Sequence, residues 1–266
     1  MNPMTGAMNE LAGMDELARL SSPMHRLHPL PKLLTVLLYI GIVLSFPNTR
    51  LSGLIAMVIF PAVGYAAAGI PVRTCFYKLR YILPLILAVG IWNPILNRAP
   101  ILTIGRLTVS EGMVSFLALM LKGTLSLMAS FLLVATTGIE KICYALRKLR
   151  VPKLLVTMLL ITYRYISLLL SEAGTMVNAY SLRAPGQKGI HISAWGSFLG
   201  QLLLRSMDRA SELYQSMQMR GFTGDFYYAE KLRAVTADYL FFPLAAALFL
   251  LFRLVNVAAL LGGLIV

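Results

Sequence analysis

Five stretches of this sequence are apolar and almost free of charge, and each approaches or exceeds the length that crosses a bilayer. Crossing about 30 Å of hydrocarbon as a helix takes about 20 residues. Twenty-two uncharged residues separate Arg50 from Arg73, and seventeen, including Pro84 and Pro94, separate Arg80 from Arg98. Residues 112–139 carry one charge, Lys122, and residues 239–266 carry one, Arg253. The run 33–46 is only 14 residues long, but Pro31 and Lys32 before it and Pro47 after it suit membrane interfaces. With 58% apolar and 13% charged residues, the composition exceeds what a soluble core needs. The expectation is an all-α integral membrane protein with about five transmembrane helices, or six if Arg253 divides the last segment.

Basic residues orient these spans. With the N-terminus inside, nineteen of the 24 Lys and Arg residues fall on the cytoplasmic side, thirteen of them between residues 137 and 237. Arg50, Arg98 and Arg106 lie outside, and Lys122 and Arg253 fall within spans. The formal charge of +13 is thereby explained by orientation in a cell inner (plasma) membrane, and no nucleic-acid recognition motif accompanies it. No secretory signal is expected, since 31 mostly polar or mixed residues precede the first apolar run. Three parts follow: 1–139 with a cytoplasmic N-terminal segment and four spans, 140–237 as a cytoplasmic region, and 238–266 as the last span.

The region 137–237 has charges every few residues and apolar positions at helical spacing, which predicts long amphipathic helices. After the basic cluster Lys141, Arg147, Lys148, Arg150 and Lys153, a first helix begins near Pro152, a residue suited to an initial turn, and runs to about Leu182. Its first half, 154–170, resembles a membrane segment in composition, but Arg164 sits at its centre. In a second helix Leu199, Leu203, Ser206, Ala210, Leu213 and Met217 form one stripe, with Arg220 in line, while Arg205, Asp208, Arg209 and Glu212 form a solvated face. Ala184-Pro185-Gly186 and Lys188-Gly189 separate the two, so that the helices cross or form a V. On the outer side, Ile101, Thr103, Gly105 and Thr108 alternate as a small hairpin would.

Several residues have ordinary explanations. Cys75 and Cys143, 68 positions apart, fit neither a metal spacing nor a disulfide framework. His25 and His28 lack a third ligand nearby, and no metal site is expected. Lys122 must avoid lipid, and packing among subunits explains it better than an ion pathway. Tyr77, Tyr81 and Trp92, near span ends, read as interface anchors. Without a G-x-x-x-x-G-K-[ST] loop the chain cannot hold nucleotide phosphates in the P-loop manner. An alternative function is an integral membrane transferase acting on lipid or prenyl phosphates, but only six acidic residues lie between 137 and 237 and none forms a D-x-x-D or H-E-x-x-H arrangement.

Leu204-Arg205-Ser206-Met207-Asp208-Arg209-Ala210, followed by Met217-Gln218-Met219-Arg220-Gly221-Phe222, resembles the transmembrane T component of energy-coupling factor (ECF) transporters, nearest to its cobalt-type CbiQ branch. Met14-Asp15-Glu16-Leu17-Ala18, His28-Pro29-Leu30-Pro31-Lys32-Leu33 and Leu182-Arg183-Ala184 agree with it. T components carry Ala-Arg-Gly-like signatures at the ends of two cytoplasmic coupling helices, and the matching arginines are Arg183 and Arg220. Leu182 and Ala184 depart from the first signature and Met219 from the second, whereas Gly221 fits. The resemblance implies a non-catalytic scaffold joining two ATP-binding cassette ATPase subunits to a substrate-binding membrane subunit of S or CbiM-like type. The transported substrate would be cobalt first and nickel second, with a vitamin left open, and would be bound by that other subunit, so this chain would hold no cofactor. The ATPase-coupling residues would be Arg183, Ala184, Leu213, Met217, Arg220 and Gly221.

Overall fold

Prolines decide where the apolar runs become helix. The computed structural model describes residues 3–48, 51–96, 100–104, 107–187, 189–224 and 236–254. Helices α1 (Pro3–Ala18), α2 (Pro23–Arg26) and α3 (Pro29–Ser45) each begin on a proline, where the missing N–H has no intrahelical partner to lose. The run 51–72 yields two pieces, α4 (Leu51–Met57) and α5 (Ile59–Ala68), followed by α6 (Val72–Leu79). The next run also divides, into α7 (Leu83–Gly90) and α8 (Trp92–Leu96). Strands β1 (Pro100–Ile104) and β2 (Leu107–Ser110) pair antiparallel through Leu102 with Val109, Thr103 with Thr108 and Ile104 with Leu107, so the expected hairpin is present. Long helices complete the chain: α9 (Glu111–Lys148), α10 (Lys153–Arg183), α11 (Ile192–Met219) and α12 (Thr236–Leu254). This is a helical integral membrane protein with, among the described residues, one small antiparallel strand pair.

Among the described residues, α9, which has a break at Gly138, and α10 are long and apolar enough to cross a membrane, and Pro29–Ser45, Gly53–Ala68 and Leu83–Pro94 are shorter apolar helices. Pro61 explains the break before α5: without an N–H it cannot bond the Met57 carbonyl one turn earlier. Tyr39 takes over, its hydroxyl donating to that carbonyl at 2.9 Å while its ring is fully buried. An unpaired carbonyl there would cost about 1–3 kcal/mol.

Contacts divide the chain into two units. One comprises Leu17–Gly138 and Leu232–Val266. Its core gathers Met24, Tyr65, Cys75, Met128, Leu132 and Ala135, and α12 packs chiefly along α3. Tyr39, Phe60 and Phe249 form an aromatic trio with ring centroids 4.7–5.3 Å apart. Gly64 lets Leu132 press onto the α5 backbone where a Cβ would collide with it. Lys32, expected at an interface, is instead 2% exposed and donates to the Thr136 carbonyl at 3.2 Å. The cause is Gly138, whose φ of 70° and ψ of 155° break α9 in a region open essentially to glycine alone, freeing carbonyls of the preceding turn.

The other unit comprises Met1–Glu16 and Ile139–Lys231. Cys143, Val156 and Leu160 form its buried centre, with Ile139, Leu146 and Val151 against them. The Tyr163 hydroxyl donates to Asp15 at 2.6 Å and ties α10 to α1. Arg164, the charge at the middle of the apolar half of α10, pairs with Glu140 at 3.2 Å. In α11 the expected stripe is split. Ser206, Leu213 and Met217 are half-buried in line with Phe198 and Leu202, whereas Leu199 and Leu203 are exposed beside Trp195 and Met207. Apolar residues at neighbouring positions (198 and 199, 202 and 203) give the helix two apolar faces, and Phe198 occupies the buried one.

Candidate coupling site

Arg183 is the last residue of α10 and is exposed. The turn after it is held by Tyr180, whose hydroxyl donates to Gln187 Oε1 at 2.9 Å and accepts from the His191 N–H at 3.4 Å. His191 in turn caps α11, its Nδ1 accepting from the Ser193 N–H at 3.3 Å. The connection is therefore fixed at both ends by side chains. Further along, Arg205 on α11 reaches Glu172 on α10 at 2.7 Å. All four residues of the expected solvated face, Arg205, Asp208, Arg209 and Glu212, are exposed; the long guanidinium stem of Arg205 spans to the neighbouring helix, and Arg209 with Glu212, 3.3 Å apart on the same helix, is the kind of surface pair expected.

Arg220 closes α11. The Phe222 N–H bonds the Met217 carbonyl at 3.0 Å and the Gly221 N–H bonds the Gln218 carbonyl at 2.9 Å, with Gly221 at φ 74°. This is a Schellman cap, and the residue in the left-handed position is glycine because a Cβ there is strained. Arg220 is thus the last residue before a rigid chain reversal and is exposed. Leu213 and Met217 are half-buried on the preceding turns, and Ala184 is half-buried beside Arg183.

The structure does not bring the two arginines together. Arg183 lies by the N-terminal end of α11, as the Tyr180 bond to His191 shows, and Arg220 lies at its C-terminal end. At 1.5 Å per residue, a 28-residue helix separates them by on the order of 40 Å. The arrangement offers two exposed cations at the two ends of one braced helix, which can contact two acidic or carbonyl-lined recesses but cannot form one pocket.

Lys122 is 8% exposed and has partners within this chain: its Nζ donates to the Phe46 carbonyl and to Asn48 Oδ1, both at 2.6 Å. It closes the C-terminal end of α3, whose last carbonyls lack helical partners. Arg253 does the same nearby, donating to the Ser45 carbonyl at 3.0 Å with its guanidinium 4.5 Å from the Phe46 ring centre. His25 Nε2 donates to the Leu17 carbonyl at 2.9 Å and its Nδ1 lies 2.7 Å from Ser22 Oγ, which commits both nitrogens to structure. The His28 Nδ1 accepts from the Leu30 N–H at 3.3 Å at the start of α3. Among the described residues no three His, Cys, Asp or Glu side chains gather as metal ligands would. Sequence reasoning missed the roles of Tyr180 and Glu172, since neither belongs to a pattern and both act across the turn.

The family model for the cobalt transport protein CbiQ matches residues 20–229. An uncharacterized protein of Methanocaldococcus jannaschii is 27% identical over 148 residues, 53% of this chain and 50% of that protein. The nickel permease LarQ of Lactiplantibacillus plantarum is 30% identical over 117 residues, 44% of this chain and 43% of that protein. The chain thus spans about half the length of these two relatives, or less. The energy-coupling factor transporter transmembrane protein EcfT of Bacillus subtilis is 26% identical over 219 residues, 77% of this chain and 82% of that protein. With the family model covering most of its length, this chain belongs to the CbiQ cobalt transport protein family, the T-component type of membrane protein in energy-coupling factor transporters.

Proposed function

We propose that this chain is the coupling subunit of an importer for divalent cobalt or nickel, passing the motion of two cytoplasmic ATPase subunits to a membrane subunit that binds the ion. The observation that carries this reading is the pair of exposed, separately capped arginines at the two ends of α11, too far apart to share one partner recess. A guanidinium entering a partly buried groove meets carboxylates or helix C-terminal carbonyls through two parallel hydrogen bonds, which an ammonium cannot reproduce. Leu213 and Met217 would supply the adaptable apolar contact behind Arg220. The surplus of cytoplasmic Lys and Arg supports placing 140–237, with α10 and α11, on the cytoplasmic face of the inner membrane. Cobalt and nickel are favoured because the matching family is a cobalt transport family and one relative is a nickel permease.

Tagged chain expressed with its genomic neighbours should retain ATPase subunits through purification and hydrolyse ATP only with them. ATP hydrolysis that follows this chain alone through every column would contradict the reading.

A further inference from the structure

We propose that α6 and the turn after it form a docking surface for anionic phospholipid headgroups at the membrane interface. Residues 73–80 link two apolar runs, 51–72 and 81–97, and hold every charge between Arg50 and Arg98: Arg73, Lys78 and Arg80. A short link between two runs that enter the bilayer stands at headgroup depth. The unit that contains it, Leu17–Gly138 with Leu232–Val266, has two acids in its sequence, Glu111 and Asp238. Glu111 opens α9, beyond the run 81–97, and Asp238 is buried in the first turn of α12. Among the described residues no carboxylate pairs with Arg73 or Arg80.

Side chains sort around this helix. Cys75 and Leu79, one turn apart, are buried in the core with Tyr65, Met128 and Leu132. Arg73, Phe76, Tyr77 and Arg80 recur at helical spacing along the outer side and are all exposed. The Arg80 N–H bonds the Phe76 carbonyl at 3.0 Å, which carries the helical turn through Arg80. Its guanidinium lies 5.7 Å from the ring centres of both Tyr77 and Tyr81. Aromatic faces hold a guanidinium by its plane and leave its N–H edges to meet phosphate oxygens. Rings with polar tips are themselves favoured at this depth.

Leu83 packs against the same core, so the buried side continues into α7, whose Leu85, Leu87 and Val89 are exposed. Cations and aromatic rings thus stand at one end of an exposed apolar helix. An acidic recess on a protein would answer the arginines and leave that helix to find another apolar cover, whereas a leaflet containing anionic lipid supplies both at once. The link is also fixed at both ends. The Thr74 N–H bonds the Pro71 carbonyl at 2.9 Å where α6 starts, and the Ile82 N–H bonds the Leu79 carbonyl at 2.9 Å where it stops.

The inference needs only that the chain spans a membrane, holds for either leaflet, and stands apart from the coupling role. Its test is the full chain with its partners in vesicles of equal parts phosphatidylglycerol and phosphatidylcholine, carrying Ile82→Cys labelled with an environment-sensitive fluorophore; the native Cys75 and Cys143 are fully buried. Bromine is placed on the acyl chains of one lipid or the other. A surface cation enriches anionic lipid about fivefold, so brominated phosphatidylglycerol should quench at least about threefold more strongly than brominated phosphatidylcholine, and about 0.5 M salt should bring the two to parity. Arg73→Gln, Lys78→Gln and Arg80→Gln together should also bring parity, while Arg73→Lys with Arg80→Lys should keep the preference. Equal quenching at low salt in the chain with its arginines intact, a preference that survives salt or neutralisation, its loss on exchange to lysine, or no quenching by either lipid would each overturn the proposal, the last because a protein then covers α6.

Discussion

Gly221 sits at φ 74° with nothing within 4 Å of where a Cβ would be, so a substitution there acts through the backbone alone. Gly221→Ala should cost about 1 kcal/mol at the end of α11, since a left-handed conformation is unfavourable by that order for a residue with a Cβ. Amide exchange over residues 216–222 should accelerate by about fivefold while exchange in α10 is unchanged; unchanged exchange at 216–222 would show that the cap does not depend on glycine. Gly221 was legible in the sequence because a basic residue followed by glycine is a helix-end signal in its own right. Lys32 was not: nothing in Pro31-Lys32-Leu33 announces that its ammonium will bond a carbonyl 104 residues later, which depends on the break at Gly138.

Helix existence was readable where apolar spacing was unambiguous, and boundaries where proline set them: α10 starts at Lys153, after the Pro152 named for its initial turn. The division of the run 51–72 into α4 and α5 follows from Pro61 but needs Tyr39 to make the break tolerable, a tertiary fact. For α11, periodicity gave the helix and misassigned half its stripe, because Phe198 and Leu199 compete for one side and bulk decides. Bracing between α10 and α11 rests partly on Arg205 and Glu172, whose side chains are 45% and 22% exposed. At that exposure the pair should be worth roughly 0.5–1 kcal/mol. In a double-mutant cycle on thermal unfolding, Arg205→Ala and Glu172→Ala should each lower stability slightly and the double variant should lose less than their sum; strict additivity would show that the contact contributes nothing.

At the scale of the molecule, orientation and coupling are the claims with consequences in a cell. Single cysteines answer the first: in intact cells an impermeant thiol reagent should label Arg106→Cys, and should leave Lys188→Cys and Gln215→Cys unlabelled until the membrane is opened. Strong labelling at 188 or 215 from outside would invert the topology. In the proposed role, coupling would depend on both ends of α11 at once, because each arginine would hold a separate partner and one remaining contact would not transmit motion across the helix. Losing an arginine that faces a carboxylate in a partly buried groove costs a few kcal/mol, well above the value of an exposed pair such as Arg209 with Glu212. Lysine should rescue only partly at either position, since it keeps the charge without the planar fork. The most direct measurement is cobalt or nickel uptake, together with ATPase co-purification, for Arg183→Ala, Arg220→Ala, the double variant and Arg209→Ala at matched expression. Uptake in the double variant should fall by more than about tenfold with loss of the ATPases, Arg220→Ala should be at least as severe as Arg183→Ala, and Arg209→Ala should behave as wild type; a double variant that transports normally and keeps its ATPases while Arg209→Ala fails would place the coupling surface on the other face of the helix.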